Sequence, residues 1–362
     1  MMNIFKTYHE YLIKLFLKYL LVIISIFASL TFILNILEEI KFFNELNLSI
    51  YYPFLFTLLN LPSILFEIFP FIILITTQLF FSHLYAKDEI NLLKNYGVKN
   101  TDIIKIISFV TILFGFFLIF GFHTFSSNLK HNYLSFKSGF TEDAKYLAVI
   151  NENGLWIKDE QDGEVRIINA EEIDKNYLKD VTISQMDNGY KLTKTLIAEK
   201  VNISNKNWVI EKAKVFNVDG KNYEKDKINF KSNFDIKKIN NLFSNLSSLN
   251  IFQLRSHYED YRSLGYSTLE IESEINKLLT LPIYLLIMIF IGSILMLNVK
   301  YSKSKIFNVV IGILLSVIIY YINYFFNLMG INERLPVILS IWFPLIILLL
   351  MSYIGLIKIN EK

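Results

Sequence analysis

Residues 85–100 read YAKDEINLLKNYGVKN. Five charged side chains, Lys87, Asp88, Glu89, Lys94 and Lys99, crowd into this short stretch. It lies between apolar runs at about Tyr52–Tyr85 and Ile103–Phe125. Each run is long enough to cross a hydrocarbon core of about 30 Å. The stretch is therefore a polar insert between two membrane spans, and the fold follows by reading outward from it.

Further apolar runs lie near Leu12–Leu37, Leu278–Val299, Ile306–Leu328 and Leu335–Ile357. The chain is 53% hydrophobic and 19% charged, below the roughly 25% charge of a soluble domain. The first run has a basic start, with Lys6, Lys14 and Lys18, as a secretory signal would. It is too long for such a signal and no small-residue cleavage site follows it, so it reads as a retained span. Pro62 and Pro70 interrupt the second run and predict a short interfacial piece before Pro62, then the span proper.

Ser126–Glu274 has a different character, polar and nearly balanced in charge. Stretches such as "KDVTISQMDNGYKLTKT" and "EKVNISNKNWVIEKAKVFNVDGK" alternate apolar and polar residues. Asp187-Asn188-Gly189, Asn153-Gly154 and Asp162-Gly163 supply hairpin signals between such runs. An antiparallel β domain follows, a sandwich or jelly roll with one apolar face. Ser267-Thr268-Leu269-Glu270 fits a capping box for an exit helix running into the fourth span, with Pro282 as a kink. The expected fold is an α-helical integral membrane protein. Six transmembrane helices in a 3+3 arrangement flank an inserted, jellyroll-like all-β domain. Its parts are 1–125, 126–274 and 275–362, with the linker helix inside the second.

Lysine placement sets the orientation. With the N-terminus inside, the inner segments hold Lys6, Lys14, Lys18, Lys87, Lys94, Lys99, Lys105, Lys300, Lys303, Lys305, Lys358 and Lys362. The short outer loops hold only Lys41 and Arg334. Both termini are then cytoplasmic, and the β domain faces the periplasm of a Gram-negative cell.

Several classes of function fall away. The chain has no cysteine, which removes disulfides, thiolate catalysis and cysteine metal sites. A net charge of +3, without a basic face, points away from nucleic acid. There is no phosphate-binding loop of the G-x-x-x-x-G-K-[ST] kind, no H-E-x-x-H and no G-x-S-x-G. His9, His83, His123, His131 and His257 show no ligand spacing. Glu67 stands in a span, where a carboxylate invites a functional reading. It lies near the outer end, where water contact accounts for it. No catalytic residue, metal or cofactor is expected, so the energy for any work must come from a partner.

On a helix, Ala86, Ile90, Leu93 and Gly97 of the insert share one face, with Leu92 and Tyr96 beside it. Lys87, Asp88, Asn91 and Lys94 take the other, and Glu89 borders the apolar stripe. Gly97 suits the C′ position, and Asn100 or Thr101 suits the cap of the next helix, with Asp102 in its first turn. Such a helix fits a groove on a cytoplasmic partner, with Glu89 paired to an arginine. It equally fits the headgroup region, with lysines towards anionic lipid. The residues leave both readings open.

The run "LPSILFEIFPFIILITTQLFFSHLYAKDEINLLKNYGVKNTDI" resembles the hallmark of the lipopolysaccharide-export permeases, the F/G family of the Lpt ABC transporter. "NGLWIKDE" and "RLPVILSIWFPLIILLL" resemble further family segments, and the likeness covers essentially the whole chain. "GLW" favours the G-type subunit over its F-type paralogue. The resemblance implies a non-catalytic permease subunit that takes lipopolysaccharide from the inner membrane and passes it to periplasmic jellyroll bridge proteins. It implies a second permease subunit and a cytoplasmic ABC ATPase dimer as partners. It makes the insert a coupling helix, with Glu89 as the coupling glutamate among Lys87, Asp88, Ile90, Leu93 and Gly97. Lys41 falls where the family places basic residues near lipid phosphates, although Glu38 and Glu39 precede it. Spans one and five, rich in Phe, Ile and Leu, suit the wall of a lipid cavity. The competing readings are a mechanotransmitting ABC permease, which usually has four spans, and a structural or sensor protein, which needs an output domain.

Overall fold

The computed structural model describes residues 7–46, 48–140, 155–161, 164–174, 176–187, 189–236, 239, 245–263, 266–297 and 305–360. Lys6, Asn153-Gly154, Asp162-Gly163, Asn188, Lys300, Lys303 and Lys362 lie outside them. The chain divides into two compact units. Residues 1–133, 247–254 and 269–362 form one, and residues 134–246 and 255–268 the other.

Among the described residues, six helices are long and apolar enough to cross a membrane. Helices α1 (Thr7–Glu45) and α2 (Tyr51–Ala86) come first. The short α3 (Glu89–Asn95) separates α2 from α4 (Asn100–Phe117). A π-helical turn, Leu118–Phe122, carries α4 into α5 (His123–Ser138). Beyond the β domain come α6 (Ile251–Ser263), α7 (Leu269–Leu297), α8 (Lys305–Ile331) and α9 (Val337–Asn360).

Two expectations need correction. The break at Pro62 does not occur, because α2 is one helix with Pro62 and Pro70 inside it. In hydrocarbon a broken helix would strand several backbone groups without water, whereas each proline forfeits only its own bond. The third span does not end at Phe125, since helix continues to Ser138. Its polar sequence suggested the β domain, but Tyr133 is buried. The Ser126 and Ser127 hydroxyls donate to the carbonyls of His123 and Thr124. The exit helix α7 does run into the fourth span. It starts at Leu269, which puts Thr268 at the cap. Glu270 and Glu272 then stand in the first turn, where the helix dipole favours carboxylates.

The core of the membrane unit joins α2, α4 and α7. Ile72, Ile73, Phe80 and Phe81 pack with Ile104, Ile107, Leu285 and Met288. Pro282 lies inside α7 and faces Gly115 of α4. A Cβ at residue 115 would stand 3.0 Å from the Pro282 Cα, so any larger residue would push the two helices apart by a few tenths of an ångström. By contrast, α1 turns Leu30, Ile33, Leu34 and Leu37 outward, and α8 does the same with Leu314, Ile318, Tyr321 and Phe325.

The β unit is a single antiparallel meander in sequence order. Its strands are β1 (Leu155–Gln161), β2 (Glu164–Asp174), β3 (Tyr177–Met186), β4 (Leu192–Asn202), β5 (Asn207–Asn217) and β6 (Tyr223–Lys231). The jellyroll-like expectation is met as an all-antiparallel domain whose described strands make one sheet. Period-two alternation places Ile157, Ile168, Ile183, Leu196 and Val215 opposite one another in a buried row. Trp208 is fully buried and donates its indole N–H to the Phe234 carbonyl at 2.8 Å. The β3–β4 turn is longer than the two-residue turn that Asn-Gly suggests. Asp187 accepts from the backbone N–H groups of Gly189 and Lys191, and Tyr190 takes the positive φ. Lys158 donates its backbone N–H to the Tyr266 hydroxyl, and burial pushes that hydroxyl's pKa up.

Candidate functional site

The polar insert folds as a turn and one short helix. α2 ends at Ala86, and Asp88 adopts a left-handed conformation with φ 57°. Asp88 accepts a hydrogen bond from the Asn91 amide at 2.6 Å, the local bonding that lets aspartate occupy this region. Lys87 and Asp88 therefore precede α3, which begins at Glu89. The far end is a Schellman motif. Gly97 has φ +80°, its N–H reaches the Lys94 carbonyl at 2.9 Å, and the Val98 N–H reaches that of Leu93 at 3.0 Å. Leu93 and Val98 lie in one apolar core. Gly97 thus occupies the C′ position that its sequence indicated. The next cap is Lys99, one residue before Asn100, and Asp102 accepts the Lys99 backbone N–H at 3.2 Å.

The two faces of α3 differ from the sequence reading. Ile90 and Leu93 are buried in the membrane unit's own core beside Leu12, Leu15 and Phe16. They hold α3 in place and leave other side chains exposed. The outward apolar groups are Leu92, 56% exposed, and Tyr96, 82% exposed, with Asn91 and Lys94 beside them. Glu89 is half-buried at the border, where the Tyr11 hydroxyl donates to its Oε2 at 2.7 Å.

The other end of α1 carries Lys41, which is exposed. Glu38 is exposed too, but Glu39 turns inward, is 2% exposed, and accepts the Tyr133 hydroxyl at 2.7 Å. The Lys130 ammonium donates to the Asn60 side chain at 2.6 Å and lies 5.1 Å from the Tyr133 ring centre. Phe43 packs against Phe56 and Tyr52 beneath this cluster. Asn60, Lys130 and Tyr133 escaped the sequence reading. Lys130 and Tyr133 are three apart, as one helix face requires, but their stretch had been assigned to the β domain. Lys41 is not drawn into the cluster by any bond among the described residues. No group of three or more His, Asp or Glu suited to a metal ion occurs among the described residues.

Six membrane-crossing helices among the described residues, with a β domain inserted in the sequence between the third and the fourth, define a multi-pass membrane protein. The family model described as lipopolysaccharide export system permease LptF/LptG matches residues 10–358. The chain belongs to that family. Its members are non-catalytic permeases of the inner membrane that act with partner subunits of an ABC transporter in lipopolysaccharide export. The match covers both subunit types without separating them. A comparison with curated proteins finds no match.

Proposed function

We propose that this chain is the G-type permease subunit that extracts lipopolysaccharide from the inner membrane and hands it to periplasmic jellyroll bridge proteins. A second permease of the same family and a cytoplasmic ABC ATPase dimer complete the transporter. Both termini and α3 face the cytoplasm, and the β domain faces the periplasm. The membrane body takes in residues 1–133 and 269–362, and the β domain is inserted between them.

The observation that carries this reading is α3 itself, within a chain that matches the family from residue 10 to residue 358. It is a short helix fixed by Ile90, Leu93 and Gly97 that presents Leu92, Tyr96 and a carboxylate outward. That surface suits an apolar groove with a cation at its rim. Exposed α1 and α8 supply the apolar walls that a lipid with several acyl chains requires, and Lys41 stands ready for a lipid phosphate at the end of α1.

Purification from membranes is expected to bring down an ABC ATPase, a second permease and lipopolysaccharide. Glu89→Ala is expected to abolish export while the chain stays in the membrane. Normal export by that variant removes the coupling role.

A further inference from the structure

Glu89 is the carboxylate that the docking reading sets at the edge of α3. Its side chain is already held, since Tyr11 donates to Oε2 at 2.7 Å. A hydroxyl bonded to a carboxylate forms a charge-assisted hydrogen bond, stronger than a neutral one. A neutral donor orients the carboxylate and leaves its negative charge intact. Oε1 makes no hydrogen bond among the described residues. Tyr11 is 41% exposed, so the pair lies at the surface, and Glu89 belongs to the short helix that turns Leu92 outward and ends at exposed Tyr96.

The backbone on both sides of this bond is anchored. Leu12, Leu15 and Phe16 of α1 share one buried core with Ile90 and Leu93 of α3. About two turns further along α1, the Tyr19 hydroxyl meets His83 Nδ1 at 2.8 Å. Two side-chain bonds over one core therefore fasten α1 to the junction of α2 and α3. Tyr11 and Glu89 are 78 residues apart in sequence, and neither has a motif that announces the other.

We propose that Tyr11 is a positioning residue for docking. It presents the second oxygen of Glu89 to a cationic side chain of the ATPase, and it passes the load of docking into α1. This rests on the reading that Glu89 docks the ATPase.

The test uses the full chain and the ABC ATPase that purifies with it. The affinity of the ATPase for the detergent-solubilised permease is measured for Tyr11→Phe, Glu89→Gln and the double variant, with Tyr19→Phe as a control. Tyr11→Phe keeps the ring and removes one hydroxyl. Tyr11→Phe and Glu89→Gln are each expected to weaken binding about tenfold, the worth of a hydrogen bond to a charged group. The double variant is expected to bind no worse than Glu89→Gln alone, because Tyr11 acts through Glu89. Tyr19→Phe is expected to bind as the parent does. Additive losses in the double variant overturn the proposal, since Tyr11 then acts elsewhere. Unchanged binding by Tyr11→Phe beside a weakened Glu89→Gln also overturns it and leaves the docking reading standing. Unchanged binding by Glu89→Gln removes the docking reading, and the proposal with it.

Discussion

Two tyrosine–carboxylate hydrogen bonds of equal length stand near opposite ends of α1. Tyr133 donates to Glu39 at 2.7 Å with both partners almost fully buried. Tyr11 donates to Glu89 at 2.7 Å beside open surface. The chemistry is the same, and the surroundings decide what each does. A hydrogen bond to a buried carboxylate has no water at hand to replace it, so its loss is felt in stability. A half-buried one turns to water at little cost and keeps an oxygen for a partner. The first bond therefore holds structure, and the second is suited to recognition.

That contrast can be broken at several points. The largest effect is expected from Ile90→Ala, which cuts into the core beneath Glu89. Thermal unfolding of the purified chain should show a loss of about 2–5 kcal/mol. A negligible loss would mean that α3 is not anchored and that Glu89 has no fixed frame. Tyr133→Phe should come next, at about 1–3 kcal/mol, from the partner removed from buried Glu39. If it proves as mild as Tyr11→Phe in the same unfolding assay, burial does not distinguish the two bonds. Gly97→Ala should cost about 1–2 kcal/mol, because its φ of +80° strains any Cβ although no atom lies within 4 Å of that position. Leu92→Ala should change stability least, within about 0.5 kcal/mol, yet weaken ATPase binding in a pull-down titration. A stability loss as large as that of Ile90→Ala would place Leu92 in the core and sink the assignment of faces.

What could be read from the sequence depended on the range of the interaction. The six spans follow from local hydropathy, and the β domain from period-two alternation. Gly97 was legible because a helix stop is a rule of adjacent residues. The direction of α3 was not legible. Periodicity puts Ile90 and Leu93 on one face, but only Leu12 and Phe16, far away in the chain, show what covers that face. The same reason hid Tyr133 from Glu39 and Tyr11 from Glu89. Pro62 misled differently, because the usual breaking rule assumes water to satisfy the freed backbone, and hydrocarbon offers none.

The unbroken α2 has a geometric consequence. Its 36 residues make a rod of about 54 Å at about 1.5 Å per residue. One end adjoins the Asp88 turn, and the other, through Asn60, reaches the Lys130 cluster. A tilt of about 10° pivoting at the Asp88 end sweeps the opposite end through roughly 9 Å on that length. The length of α2 alone thus ties a small rotation at the Asp88 end to a much larger movement at the far end.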